Sequence, residues 1–265
     1  MKAMILAAGL GTRLRPLTND RPKALVEVAG RTLLEITLLR LHKFGVRQVI
    51  VNVHHFPDMV IDYLKANQNF GMHIEISRED VLLDTGGGLK KAAPFFLENS
   101  SRADEPFILH NVDVLTTIDL GQMAQFHSER QALATLAVQN RQTSRYLLFD
   151  EHLQLCGRRT IARVEASAPV GTVAPAGTGD SPVQPRSGAS APQALAFSGI
   201  HVISPRLLSL LTEEGAFSII DSYLRLATQG EKILAFRADT YYWRDLGRPE
   251  NVTQAIQDFE SKLSC

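Results

Sequence analysis

Along its first half the chain alternates short apolar runs with segments of helical period, and this alternation narrows the possible folds more than any other feature. Residues 3–8 form an apolar run that stops at Gly9, the pattern of a buried strand meeting a loop. Residues 33–44 place Leu34, Leu38 and Leu41 on one helical face, with Gly45 as a C-terminal stop. Strand-like runs follow at 47–53, 73–77, 107–110 and 132–138, and helical stretches at 57–67, 88–96 and 119–130. Such alternation implies parallel strands joined by crossover helices. The expected fold is α/β: a single doubly wound, Rossmann-like sheet, mixed but mostly parallel, with helices on both faces. Ligands of these sheets bind at the carboxyl ends of strands, so the residues just after Ala8, Val53, Ser77 and His110 are where chemistry is expected.

The second half changes character. Residues 146–156 read as a hairpin with Asp150 and Glu151 at its turn. Residues 166–192 are rich in Ala, Pro, Gly, Ser and Thr and have no periodicity, so they cannot bury enough apolar surface to offset their ordering entropy. Strand-like sequence resumes at 195–203, so this stretch is expected to be a flexible insert in one domain spanning 1–265, not a boundary. A solvated loop is the plainer reading of it and a catalytic lid the sharper one. Helical patterns close the chain at 217–228 and 248–262.

The first strand runs into Leu6-Ala7-Ala8-Gly9-Leu10-Gly11-Thr12-Arg13-Leu14-Arg15-Pro16-Leu17-Thr18, followed by Arg21-Pro22-Lys23. Glycines let a backbone approach phosphate oxygens, and their N–H groups can form an anion-binding nest. Arginine adds a planar fork of donors and lysine a point charge. Neither GxxxxGK[ST] nor the third glycine of GxGxxG is present. A bare GxG would be an ordinary tight turn; the cations that follow within twelve residues of Gly11 point to an anion.

Composition excludes some classes. With 28 basic and 28 acidic residues, the chain lacks the basic footprint of a nucleic-acid binder. No apolar run reaches the roughly 18 residues of a membrane helix. The N-terminal apolar run is too short for a secretory leader and has Arg13 and Arg15 after it. Two distant cysteines, Cys156 and Cys265, argue against a disulfide framework. The expectation is a soluble, cytoplasmic protein with no nucleic-acid or membrane partner, monomer or dimer.

The N-terminal string resembles the signature of the sugar-nucleotide pyrophosphorylase (nucleotidyltransferase) family. The resemblance continues at Asp84-Thr85-Gly86-Gly87-Gly88, Asn111-Val112-Asp113, Phe197-Ser198-Gly199 and Trp243-Arg244-Asp245-Leu246-Gly247, nearly the length of the chain. It implies a glycosyltransferase-A-like fold and formation of an NDP-sugar and pyrophosphate from an NTP and a sugar 1-phosphate. By position, Ala8, Gly9, Gly11 and Thr12 would bind the nucleotide. Arg13 would hold the departing phosphates and Lys23 the charge at the α-phosphate. Gly86 and Gly87 would approach the base. Asp113 and Asp245 would bracket Mg2+, which takes few protein oxygens. Asn140, Ser198 and Gly199 would face the sugar.

Two features depart from the family's pattern. The Glu-Lys-Pro of many relatives is missing before Phe197. Val112 stands where a glycine is usual. Valine rarely adopts positive φ, so Val112 must keep β-like geometry or the metal site is altered. Within the family the chain is most similar to short N-acetylmuramate 1-phosphate uridylyltransferases and to mannose-1-phosphate guanylyltransferases, with uridylyl transfer slightly favoured. It ends 20 residues after Asp245, so one activity is expected. The alternative is a non-catalytic nucleotide-sugar-binding regulatory protein; convergence of Arg13, Lys23, Asp113 and Asp245 on one cleft would favour the enzyme. An NAD-binding dehydrogenase is disfavoured, because Asn52-Val53-His54 stands where its acidic residue belongs. His54 and His55, adjacent on a strand, would point to opposite faces and are read as structural. Tyr242 and Trp243 are read as core.

Overall fold

The computed structural model describes residues 1–98, 104–161 and 191–262, without the side chains of 259–262. Most of the expected insert at 166–192, and Cys265, lie outside the described residues.

Strand β1 (Lys2–Leu6) leads through a 3-10 turn at Thr12–Leu14 and the small hairpin β2 (Glu27–Val28) and β3 (Arg31–Thr32) to helix α1 (Leu33–Lys43). Thr32 caps α1: its side chain accepts from Glu35 N at 3.1 Å, a contact worth about 1 kcal/mol. Gly45, with φ 80°, ends the helix as its sequence position suggests. Then come β4 (Gln48–Val53), α2 (Pro57–Ala66), β5 (His73–Arg78), α3 (Asp84–Lys91), α4 (Ala93–Leu97), β6 (Phe107–Asn111) and β7 (Val114–Thr116). The helix expected at 88–96 is two helices, and the three glycines lie inside the first of them. The chain continues through α5 (Leu120–Arg130), β8 (Ala134–Gln139), the hairpin β9 (Arg145–Phe149) and β10 (Leu155–Thr160), and the long β11 (Gln193–Ile203). It closes with α6 (Arg206–Leu210), α7 (Ile219–Thr228), β12 (Ile233–Arg237), β13 (Trp243–Asp245) and α8 (Pro249–Lys262).

Nine strands form one mixed sheet in the order β10-β9-β11-β6-β1-β4-β5, with β8 on β11 and β12 on β8. The segment β6-β1-β4-β5 is parallel; β11 enters antiparallel to β6, β8 and β9. The central strands β1, β4, β6 and β8 are largely apolar because both faces are covered, whereas the edge strands β5 and β10 carry exposed polar residues. Ala3 and Ile5 of β1 face one core with Leu34, Leu38 and Val60, while Met4 faces the other with Leu89, Phe96 and Tyr223. β1 pairs with β4 on one side and β6 on the other, so the crossovers leave it in opposite directions. That is a topological switch point, where such sheets open a crevice. Register aligns the ends: Leu6 lies opposite both Asn52 and Asn111, and Asn52 opposite Ser77.

β12 carries no strand expectation from sequence. It pairs parallel with β8 and is buried there. Among the described residues, no helix is long and apolar enough to cross a membrane.

Candidate active site

Two cavities open at this carboxyl edge. The first, of about 420 Å³, is lined by Leu6, Ala8, Gly9, Lys23, Asn52, Glu79, Asp84, Thr85, Asn111 and Asp113, among others. The second, of about 640 Å³, is lined by Arg13, Asn111, Asp113, Arg141, Thr143, Arg145, Phe197, Gly199, Trp243 and Asp245, among others. Asn111 and Asp113 belong to both and form the seam.

The loop after β1 is shaped by Gly11, whose φ of 66° is left-handed. A Cβ there would stand 3.0 Å from Thr18 Cγ2 and 3.2 Å from Lys23 Cβ, so only glycine lets the loop fold back and deliver Lys23. Thr18 Oγ1 donates to Gly11 O at 2.9 Å and locks that return. Ala8 and Gly9 line the first cavity. Gly11 supports the loop, and Thr12 is exposed at the start of the 3-10 turn.

The floor of the first cavity is a buried polar bridge that sequence reasoning missed. Asn52 Oδ1 accepts from Ala7 N at 2.7 Å, and Asn52 Nδ2 donates to Glu79 Oε1 at 2.7 Å. Glu79 Oε2 accepts from Leu83 N at 3.0 Å. The bridge ties the ends of β1, β4 and β5 to the start of α3. The one available signal was a polar Asn52 interrupting an apolar strand at its carboxyl end.

Gly86 and Gly87 are not on the cavity wall, which is made by Asp84 and Thr85. A Cβ on Gly86 would stand 2.2 Å from the Phe217 ring, and one on Gly87 2.3 Å from Gly215 O. One on Gly88 would meet Glu79 Oε1 at 2.8 Å. The glycine run lets α3 lie flush against the 215–217 segment and the polar bridge.

At the seam, Lys23 Nζ donates to Asp113 Oδ2. Asp245 arrives from the far end of the chain because β13 pairs antiparallel with β7, setting Asp245 opposite Val114; Leu246 N then donates to Asp113 O at 2.8 Å. Arg13 packs beside them: a Cβ on Gly247 would lie 2.8 Å from Arg13 Nη2 and 2.9 Å from Asp245 Oδ1. The four residues on which the enzyme reading depends therefore converge.

The two carboxylates are held in opposite senses. Burial works against ionisation of Asp113, but the Lys23 ammonium and its hydrogen bond, with hydrogen bonds from Asp245 and the backbone, together keep its pKa below the ordinary value. Burial, together with the Asp113 charge, pushes Asp245 above it. Val112 has no positive φ; its N–H donates to Leu6 O at 3.2 Å and its side chain is buried. The glycine usual at this position is thus not required by the local backbone.

On the second cavity the structure places Gly199 on the wall, at φ 76°, where a Cβ would stand 2.8 Å from Val114 Cγ2. Ser198 is fully buried behind it. Asn140 is exposed, with its N–H on Asp239 Oδ1 at 2.6 Å; the wall residue is its neighbour Arg141. Trp243 corrects the core reading. Although it packs against the core, it lines this cavity and carries the Arg141 guanidinium 3.5 Å from its ring centroid. Its ring N–H must reach an acceptor, and it finds one in Ser198 O at 2.8 Å. Tyr242 donates to Asp258 Oδ2 at 2.8 Å.

Comparison with known proteins gives the family and the fold. The nucleotidyl transferase family model matches residues 2–165. The chain is 50% identical over 114 residues to an N-acetylmuramate alpha-1-phosphate uridylyltransferase of Caulobacter vibrioides, covering 42% of this chain and 45% of that protein. It is 29% identical over 266 residues to a mannose-1-phosphate guanyltransferase of Yarrowia lipolytica, covering 100% of this chain and 65% of that one. The matches thus span less than two thirds of these relatives' own length. A solved UDP-glucose pyrophosphorylase complexed with UDP-glucose shares the fold, with a TM-score of 0.74 at 18% identity, covering 98% of each chain.

Proposed function

Since the chain belongs to the nucleotidyl transferase family, we propose that it transfers a nucleoside monophosphate from an NTP to a sugar 1-phosphate and releases pyrophosphate. The observation that carries this reading is the seam: Lys23, Asp113, Asp245 and Arg13 meet where two cavities join. One cavity takes the triphosphate and the other the sugar phosphate. A phosphate oxygen of the sugar phosphate attacks the α-phosphorus, the bond from that phosphorus to the β-phosphate oxygen breaks, and pyrophosphate leaves. No covalent enzyme intermediate is needed, because positioning and charge neutralisation suffice.

Ala8 and Gly9 bring backbone close to the triphosphate. Lys23 spends one of its three N–H donors on Asp113 and keeps two for a phosphate in the first cavity. Arg13, beside Asp245, meets charge developing on the departing phosphates.

The donor set fits Mg2+. Asp113 and Asp245 are hard oxygen donors, and burial together with the Asp113 charge raises the pKa of Asp245, a cost that a shared cation relieves. Among the described residues no cluster of three or more His, Cys, Asp and Glu side chains forms a fuller cage. Two carboxylates leave room for phosphate and water, as Mg2+ prefers. When bound there, the ion supplies Lewis-acid charge neutralisation at the phosphates.

Relatives include both uridylyl- and guanylyltransferases. We carry uridylyl transfer forward on the support of the Caulobacter relative. The test is pyrophosphate release from UTP, GTP, CTP and dTTP against a panel of sugar 1-phosphates, with and without Mg2+. Metal-dependent release with one pair is expected; binding without release for every pair would return the reading to a non-catalytic sensor.

A further inference from the structure

On the wall of the second cavity, which Asp113 and Asp245 share, Arg141 is built in without an ion-pair contact among the described residues. Arg141 follows β8, where Gln139 Nε2 donates to Ala238 O at 2.7 Å and to Tyr241 O at 2.9 Å, and Asn140 N donates to Asp239 Oδ1. These bonds staple the exit of β8 to the segment leading into β13 and fix the Arg141 backbone. The guanidinium is gripped on two sides. One face lies on Trp243, and Nη2 donates to Phe197 O at 2.6 Å. Trp243 is itself held by Ser198 O and by the pairing of β13 with β7.

Among the described residues Arg141 has no ion-pair partner, and its Nε is buried without an acceptor. Burial pulls its pKa down to about 10, against the opposing charge of Asp245. Arg225 and Arg244 are neutralised, by Glu213 at 2.9 Å and Asp258 at 2.7 Å; Arg40 also lacks a carboxylate partner among the described residues, but it gives its Nη donors to Thr116 O and Ile118 O and lines neither cavity. A preorganised, partly desolvated guanidinium with no ion-pair contact is well suited to an anion, because its planar fork matches phosphate oxygens.

We propose that Arg141, clamped on Trp243, is the receptor for the phosphate monoester of the acceptor and so a specificity-determining residue of the second cavity. The proposal rests on reading that cavity as the acceptor site. It assigns the position to a stacked guanidinium, which distinguishes a phosphate dianion from a neutral sugar. Asn140, one residue earlier, faces solvent instead.

Trp243 is the single tryptophan of the chain, so its emission reports directly on the stack. Inorganic phosphate, glucose 1-phosphate and, as neutral control, glucose are titrated into the full-length protein, following emission and, in parallel, heat. A saturable response to the first two and none to glucose is expected. Arg141→Gln should weaken phosphate and sugar-phosphate binding by about tenfold or more, the loss of a charge-assisted contact, while UTP or GTP binding changes less than about threefold. Arg141→Met, which keeps the stem on the ring, is the second variant should the first not fold. Unchanged phosphate affinity in either folded variant, or no saturable response to any phosphate in the wild type, overturns the proposal. Phosphate binding lost with Arg141, in a protein that releases pyrophosphate from no substrate pair, would uphold the receptor and refute the transferase reading instead.

Discussion

Lys23 and Asp113, 90 residues apart in sequence, meet as an ion pair at the seam of two cavities. Both side chains are largely buried, at 13% and 15% exposure. Removing one partner therefore strands the other's charge. Lys23→Ala is expected to lower kcat by roughly 100-fold or more and to destabilise the fold by about 2–4 kcal/mol. Lys23→Met combined with Asp113→Asn should recover much of the stability and none of the activity. Denaturant unfolding and pyrophosphate release measure the two separately; equal stability of the single and double variants would show that the pair does not bear on the fold.

Asp245 provides a metal test that does not depend on turnover. Its folded-state pKa lies above the ordinary value, so its contribution to stability is present at low pH and lost as pH rises through the raised value. At pH 7 the metal-free protein carries that penalty. Asp245→Asn should raise the metal-free Tm by about 1–3 °C and abolish the Tm gain that Mg2+ gives the wild type. The Mg2+ gain should fade as pH falls toward the raised pKa. An undiminished Mg2+ shift in the variant would place the ion elsewhere.

Two glycines separate packing from ligand approach. Gly87 faces Gly215 O at 2.3 Å from a built Cβ, whereas a Cβ on Gly9 meets nothing within 4 Å. Alanine favours a helix by about 1 kcal/mol over glycine, yet Gly87→Ala should destabilise by about 1–3 kcal/mol, because backbone cannot yield as a side chain can. Gly9→Ala should leave Tm unchanged and raise the KM for NTP. Thermal unfolding and initial rates check both; a Gly9→Ala with normal KM would remove the loop from the nucleotide site.

Three buried histidines set an acid limit. Burial pulls His110 and His127 to about 4 and His201 to about 3. Each is depressed below the ordinary value of 6.5, so its stabilising contribution is complete above pH 6.5 and is lost as pH falls toward the folded value. Each costs up to about 1.4 kcal/mol per pH unit in that window. The unfolding free energy should fall between pH 7 and pH 5, and His127→Asn should flatten that slope. A pH-independent stability across the window would contradict the burial of all three.

What the sequence determined by itself was set by local chemistry. Apolar runs broken by helical periods specify strands and helices, and the order of strands and crossovers then leaves little choice but a doubly wound sheet. The loop from Gly9 to Lys23 could be singled out because a glycine loop followed by cations points to an anion, whereas Asp113 and Asp245 stood out only through the resemblance to the nucleotidyltransferase family, since a lone aspartate beside a strand end has ordinary uses as a cap or a solvated surface group. Tertiary structure alone decided the rest. Asn52 and Glu79 became the floor of a cavity only when register brought two strand ends side by side. Gly86 and Gly87 answer to Phe217 and Gly215, contacts that helix propensity cannot foresee. Asn140 and Arg141 are equally polar neighbours, and which one reaches the cavity depends on Asp239 holding one and Trp243 the other. Asp113 and Asp245 carry the same charge, yet Lys23 touches the first and holds its pKa down, while burial and the Asp113 charge push the second up. Long-range pairing sets these partners, and a one-dimensional pattern carries no record of which distant residue arrives.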